Sequence, residues 1–361
     1  MYFFILLLPI GLVLTFIASN NRGLIEDFYS QEIFLFINKF LFFISNIFKF
    51  SLGEILFYIF IALILILIIK FIYNLIHHHN RKKVFTMGII NIAVVLSIIY
   101  FLFIVLWGLN YHRLPLSNNI NLEVKPVSIE ILHSLCEDLI GKTNYLRENV
   151  DEDEFGVAYI DDNFENIAER SQLGFNELKK KYNFFDLKIS KPKGVIFSKA
   201  LSYAGIAGVY SPFTGEANIN TMVPQPMLPN TTTHEIAHQL GFAREDEANY
   251  IAYLACIHHP DKDFQYSGML LALIHSMNTL YRQDINSYNQ LIDDYSNGVR
   301  RDLTAINNFW NSYKGPIEKT SQKINNTYLK SNLQKDGTKS YGRMVDLLIA
   351  EYKEKLINSI N

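Results

Sequence analysis

Over roughly the first 108 positions, polar residues only interrupt a background of Phe, Ile and Leu; beyond them the chain has the mixed pattern of a soluble protein. "MYFFILLLPIGLVLTFIAS" is a run of about 18 uncharged residues, enough for a helix to cross a hydrocarbon core of roughly 30 Å. No positive residue precedes the run, so it reads as a span over about 1–19 rather than a cleaved signal peptide. "GEILFYIFIALILILIIKFIYNLI" predicts a second span over 53–76. Ser51 is placed to cap it while Glu54 reaches back to the Ser51 amide, and Lys70 near its end can snorkel. "VFTMGIINIAVVLSIIYFLFIVLWGL" predicts a third span over 84–109, with Trp107 and Tyr111 as interface aromatics. Between the first two, "QEIFLFINKFLFFISNIFKF" has polar residues at 31/32, 38/39 and 45/46. That seven-residue repeat makes one polar stripe on a helix and predicts an amphipathic helix over 31–50 lying in the membrane interface. A further crossing is the alternative, and it would change the parity of the topology.

Positive charge sets the expected orientation. The short connection "HHHNRKK" (77–83) carries Arg81, Lys82 and Lys83 with no acid to offset them, and such loops prefer the cytoplasm. The second span then runs inward and the third outward. The N-terminus is placed inside, and everything after Leu109 outside the cytoplasm of a bacterial plasma membrane. The three loop histidines have no further ligand nearby and read as part of a solvated basic loop.

The pattern then changes. "RLPLSNNINLEVKPVS" is a Pro- and Asn-rich neck, so residues 111–127 read as a linker between a membrane domain (1–110) and an outer domain (128–361). Helical periodicity returns at about 128–149 and 161–183. "KGVIFS", with its core at 194–198, alternates like a strand. "GVYSPFTGEANIN" has two short strand-like runs around "FTGE", a hairpin signal. A Pro-punctuated loop follows, and after it the pattern is nearly all helical. The outer domain is therefore expected to be α+β, mostly α, with a short antiparallel sheet.

A net charge of −2 leaves no basic footprint for nucleic acid. Cys136 and Cys256 are too few for a disulfide framework and lack metal-type spacing; whether they pair stays open. Three spans without an ionisable residue at mid-depth argue against a transporter.

The stretch with chemistry is "TTTHEIAHQLGFAREDEANY", residues 231–250. His234 and His238 stand four apart, so a helix puts both imidazoles on one face, one turn apart, where one Zn²⁺ can take both. Glu235 is rotated by one position, toward where a water would sit. This is the H-E-x-x-H logic of two ligands and one general base. Thr231 to Thr233 offer hydroxyls for the helix N-cap. Gly241 can end the helix, and a second helix can begin at about Ala243. A site with one open position needs a third ligand. Glu245 and Glu247 are the near candidates, with Glu245 preferred and Asp246 facing away. Asn249, four residues after Glu245, can hydrogen-bond a ligand histidine.

"THEIAH…REDEANYIAYLA" resembles the gluzincin side of the zincin metallopeptidases, whose second helix carries E-x-x-x-D or E-x-x-A-D/N. The resemblance implies His234, His238 and Glu245 as ligands, Glu235 as base and Asn249 as orienter. Only six residues separate His238 from Glu245, a shorter gap than most gluzincins have. Gly241 resembles the metzincins instead, but their third histidine would fall at Arg244. The chain is also similar to an uncharacterised family of bacterial integral-membrane proteins with three N-terminal spans and a zincin-like outer domain. "WGLNYHR", "SPFTGEANIN", "HEIAHQLGFAREDEAN" and "YLKSNLQKDGTKSYGRMVDLL" carry that similarity.

In zincins an edge strand before the histidine helix pairs with extended peptide, which makes "GVYSPFTGEANIN" a binding segment with Tyr210 and Ser211 as contact residues. Glu216 within it reads as a hairpin-turn acid. An oxyanion donor is also needed; "KSYGRM" offers Tyr341 and Arg343, and Tyr210 is an alternative. His258 and His259 read as helix C-terminal partners. His112, His133 and His275 attract no functional expectation. The expected protein is a membrane-anchored zinc metallopeptidase acting on envelope proteins or peptides. The alternative is a membrane-tethered binding or sensor module that keeps the fold without turnover.

Overall fold

The computed structural model describes residues 2–185 and 188–360. The chain divides into two compact units. One is Met1–Arg113 together with Ser211–Glu216; the other is Leu114–Tyr210 together with Ala217–Asn361.

Three helices in the first unit are long and apolar enough to cross a membrane: Phe3–Asn20, Leu52–His77 and Arg81–Leu106. Their packing contacts are small-to-large. A Cβ on Gly11 would fall 2.8 Å from the Tyr100 ring, and one on Gly88 would fall 2.6 Å from Phe71, so both helix pairs approach at glycines. The Ser51 cap forms as expected, its Oγ accepting from the Glu54 N–H at 2.9 Å. The N–H groups of Leu52 and Gly53 are taken instead by Glu216, at 3.0 and 2.6 Å. Glu216 is 1% exposed. Far from being a surface turn acid, it caps a helix from more than 160 residues away, and its negative charge suits the positive end of the helix dipole. Gly215 (φ +70°) turns the chain beside Leu41 and Phe42, a left-handed conformation that glycine adopts without strain.

Residues 31–50 differ in part from expectation. Ile25–Ile33 is a wide, π-type helical stretch that continues into the helix Phe34–Ser45. This stretch is not one of the three helices long and apolar enough to cross a membrane. The polar stripe divides: Asn38 and Ser45 are buried, whereas Gln31, Glu32, Lys39 and Asn46 are exposed, as are Phe36, Phe40 and Phe43. Nearby, Arg113 makes a two-pronged pair with Glu26 (Nε–Oε2 2.9 Å, Nη2–Oε1 2.7 Å), both residues buried.

The second unit is mostly helical. Leu228–Gln239, Glu245–Ile257 and Lys262–Gln283 pack with Ile129–Arg147, Phe164–Lys181 and Met344–Ile360. Their core includes Ile236, Ile251, Leu254, Leu270, Leu273, Leu139 and Leu348. Gly174 lets two helices touch: a Cβ there would run into the Ala255 carbonyl. A buried polar knot holds the periphery. Asp302 accepts from Arg147 Nε (2.6 Å), Tyr266 OH (2.5 Å) and Ala158 N (2.8 Å). Cys136 and Cys256 are both buried and free.

The sheet is small. β1 (Lys193–Gly194), β2 (Gly208–Ser211) and β3 (Glu216–Ile219) lie in the order β1-β3-β2. The β2–β3 hairpin forms where expected. β1 is shorter than the 194–198 expectation and runs parallel to β3, Lys193 opposite Asn218, so the sheet is not wholly antiparallel. The chain turns into the helix Ser198–Tyr203 directly afterwards. The 111–127 stretch takes in the end of a 3-10 turn, Gly108–His112, and a short helical turn, Leu116–Asn119.

Candidate metal centre

The helix that carries the two histidines begins at Leu228, with Pro229 in its first turn. Thr231 to Thr233 are therefore inside the helix and do not cap it. Thr232 and Thr233 Oγ1 donate back to Leu228 O (2.7 Å) and Pro229 O (2.9 Å), the usual use of a hydroxyl within a helix. Proline needs no N–H partner and its fixed φ suits a first turn, so the helix starts earlier than a hydroxyl cap would place it.

The helix stops at Gly241, as expected. Gly241 has φ +82°; its N–H reaches His238 O, and the Phe242 N–H reaches Ala237 O, the paired bonds of a Schellman end. This ending also serves the site. It brings the Phe242 carbonyl to 2.7 Å from His238 Nδ1. A carbonyl can only accept, so Nδ1 carries the proton and Nε2 is left to face outward from that bond.

His234 and His238 sit one turn apart with rings 4.7 Å apart and nearly perpendicular. The second helix starts at Glu245, two residues later than expected. His234 Nε2 lies 3.1 Å from His238 Nε2, and Glu245 Oε2 lies 3.2 and 3.5 Å from the two. These three side chains are placed so that they could hold one metal ion. An ion with tetrahedral bonds of about 2.0–2.1 Å has donor atoms roughly 3.3 Å apart, so the three separations match the edges of such a site. Glu245 Oε2 makes no hydrogen bond among the described residues despite its closeness to both imidazoles, as expected when donor lone pairs aim at a shared point.

Glu247 is turned elsewhere: its Oε1 accepts from the Leu116 N–H at 2.9 Å, with Arg244 beside it. Asp246 faces Arg244. Asn249 touches neither histidine. Its Nδ2 donates to Tyr341 O at 3.0 Å, so it positions the Gly337–Arg343 turn rather than an imidazole; from its place on the helix it faces that turn. Tyr341 is thereby brought to the site, its ring stacked on His234 at 6.4 Å and its hydroxyl against Glu245. Tyr210 lies 6.4 Å from the His238 ring, and its backbone N–H bonds the Glu235 carboxylate. Ser211 groups with the first unit, against Gly53. Arg343 is exposed and paired with Asp336 and Asp346, so it is not brought to the histidines.

The electrostatics follow from burial and mutual contact. Burial raises the Glu235 pKa, only partly offset by the two imidazoles. Burial disfavours a charged His238, yet the Glu245 carboxylate outweighs it and holds the group up at about 9. Burial likewise disfavours the Glu245 carboxylate, but the two histidines hold it down to about 2. Burial pushes Tyr341 well above the ordinary phenol range, with Glu245 adding to the effect.

Four participants were not foreseen. Gly208 on β2 lies flat against Glu235. Gln334 Oε1 accepts from the Glu245 N–H at 3.1 Å. Asn325 Nδ2 reaches the Tyr341 hydroxyl at 3.5 Å. His275 lies within electrostatic reach of His234; burial, aided by His234 and Arg282, pushes it down to about 4. Gln334 falls inside the "YLKSNLQKDGTKSYGRM" stretch already set apart in the sequence. Gly208 opens the "GVYSPFTGEANIN" stretch, likewise set apart; Asn325 and His275 had no local signal.

Comparison with curated proteins and with solved structures finds no match. The model of a family described as "Protein of unknown function (DUF3810)" matches residues 29–349. That range includes both histidines, Glu235, Glu245 and Tyr341, and covers most of the chain; the protein belongs to the DUF3810 family.

Proposed function

We propose that this protein is a membrane-anchored zinc metallopeptidase hydrolysing peptide bonds of proteins or peptides outside the cytoplasm. One observation carries the reading: His234, His238 and Glu245 converge at tetrahedral-edge separations, with the carboxylate of Glu235 beside them. The donor set of two imidazoles and one carboxylate suits zinc in a site with an open position.

A bound zinc ion supplies Lewis acidity toward a carbonyl oxygen and acidifies water. The chain's own residues do the rest. Glu235, with its raised pKa, takes a proton from the attacking water as the water oxygen bonds to the carbonyl carbon. It passes that proton to the amine nitrogen as the C–N bond breaks. Tyr341, whose pKa lies well above neutrality, keeps its proton and donates toward the developing oxyanion. β2 is an edge of the sheet, and its Val209 is exposed, which supports an extended peptide lying alongside it. The basic loop at Arg81, Lys82 and Lys83 supports the outward placement of the domain.

Metal analysis of the full-length protein in detergent tests the reading. About one zinc per chain is expected in the wild type and none in His234→Ala. Glu235→Gln is expected to keep its zinc and lose cleavage of a peptide library. Zinc binding without cleavage by the wild type would favour a binding module instead, and absence of zinc would end both readings.

A further inference from the structure

The helix Lys262–Gln283 presents His275, Thr279 and Arg282 at spacings of four and three residues, so the three share one face. That face borders the candidate metal centre. His275 is half-buried and lies within electrostatic reach of both His234 and Arg282. Thr279 Oγ1 accepts from Arg282 Nη2 at 3.3 Å. The same Nη2 is 3.4 Å from where a Cβ on Gly342 would lie, and Gly342 follows Tyr341, whose ring stacks on His234. Arg282 is thus tied to the site from two directions.

Its charge is unusual within the second unit. Arg147, Arg170, Arg244, Arg300, Arg301 and Arg343 each have a carboxylate within 4 Å. Arg282 has none among the described residues; the Thr279 hydroxyl is its one hydrogen-bond partner there. It is exposed, and the adjoining residue Gly342 has no side chain to cover it. His275 likewise makes no side-chain hydrogen bond among the described residues. A guanidinium prefers a carboxylate, which it grips through two parallel N–H bonds.

We infer that Arg282 binds a carboxylate of the substrate, with Thr279 orienting the guanidinium and His275 lining the path from it to His234. This deepens the peptidase reading and rests on it. The carboxylate is either the free C-terminus of a peptide or an acidic side chain near the scissile bond; both present the same planar anion. Holding that anion at a fixed place beside the metal ligands would set which bond meets Glu235.

Binding is measured on the full-length, zinc-loaded Glu235→Gln variant in detergent, which holds peptide without turning it over. Three probes are compared: an N-acetylated apolar tetrapeptide with a free C-terminal carboxylate, the same peptide amidated, and an amidated version carrying one internal glutamate. Tighter binding of the free acid than of the amide, by about 10-fold or more, is expected if the C-terminus is the source; tighter binding of the glutamate peptide marks the side chain. Adding Arg282→Met should reduce the favoured probe to the level of the plain amide and leave the amide's affinity and the zinc content unchanged. Arg282→Lys should restore part of the difference. Equal binding of all three probes, no binding of any, or an equal loss for all three in Arg282→Met would overturn the inference. The peptidase reading stands or falls separately, on zinc content and on cleavage by the wild type.

Discussion

Replacing Gly208 by alanine probes how Glu235, the proposed base, is held. A Cβ at this position would lie 2.6 Å from Glu235 Oε1, 2.7 Å from Cγ and 2.9 Å from Cδ. Glu235 is 4% exposed, so its carboxylate has no solvent to swing into. Gly208 does not have a positive φ, so alanine brings no backbone strain and the contact alone is tested. Overpacking of this kind costs about 1–3 kcal/mol, and each kcal/mol lowers the melting temperature by about 2–4 °C in a domain of this size. A carboxylate displaced by about 1 Å would also slow catalysis by roughly 10²-fold. Zinc content should not change, since the contact falls on none of the three ligands. The assay is a double-mutant cycle on thermal unfolding of the full-length protein: Gly208→Ala, Glu235→Ala and the pair. With Glu235 truncated the clash disappears, so Gly208→Ala should then cost almost nothing, giving a coupling of about 1–3 kcal/mol. A coupling within about 0.5 kcal/mol of zero would show that strand and base are not in contact, and the assignment of β2 as the support of Glu235 would fail.

Other outcomes follow from the same structure. Asp302→Ala removes the carboxylate that Arg147, Tyr266 and Ala158 share; Arg147 keeps only the more exposed Glu152 carboxylate at 3.0 Å, and breaking the buried pair should cost about 3–5 kcal/mol in denaturant unfolding. Gln334→Ala frees the Glu245 N–H and, as a loss of support behind a ligand, should weaken zinc about 10-fold or more in competition with a chelator, while unchanged affinity would remove Gln334 from the site. His259 is held neutral: Nε2 donates to Arg170 O, Nδ1 accepts from the Asp261 N–H, and burial lowers its pKa. A histidine lowered on folding stabilises above its unfolded pKa near 6.5 and loses that contribution as pH falls through the lower folded value. The stability difference between wild type and His259→Phe should therefore narrow between pH 7 and 5.

What the sequence could reveal divides along a physical line. The three helices long and apolar enough to cross a membrane were legible because a continuous apolar run is a local signal. His234, Glu235 and His238 were legible because one helical turn fixes their relation. The choice between Glu245 and Glu247 was not decidable from spacing, since both lie in one first turn; the Leu116 N–H, 131 positions away, draws Glu247 off. The polar stripe at 31/32, 38/39 and 45/46 was seen, but that only Asn38 and Ser45 of it are buried depends on tertiary packing. Thr231–Thr233 looked like a cap because hydroxyls favour that role, yet Pro229 supplied an earlier start. Gly208 and Gln334 lie in stretches the sequence set apart, but their contacts with Glu235 and Glu245 are tertiary, and no local pattern encodes them.

The Glu216 bonds to Leu52 and Gly53 bear on how the protein can be handled. A water-soluble fragment made by cutting before Leu114 would keep the 211–216 loop but discard every helix that loop binds. Its carboxylate would lose both amide donors, and Ser211 and Gly215 would lose Gly53 and Phe42. In such a fragment the turn of the β2–β3 hairpin would lose its anchor, and β2 is the strand that supports Glu235. Poor behaviour of a truncated preparation would then reflect the missing anchor, so metal and peptide measurements belong with the intact polypeptide.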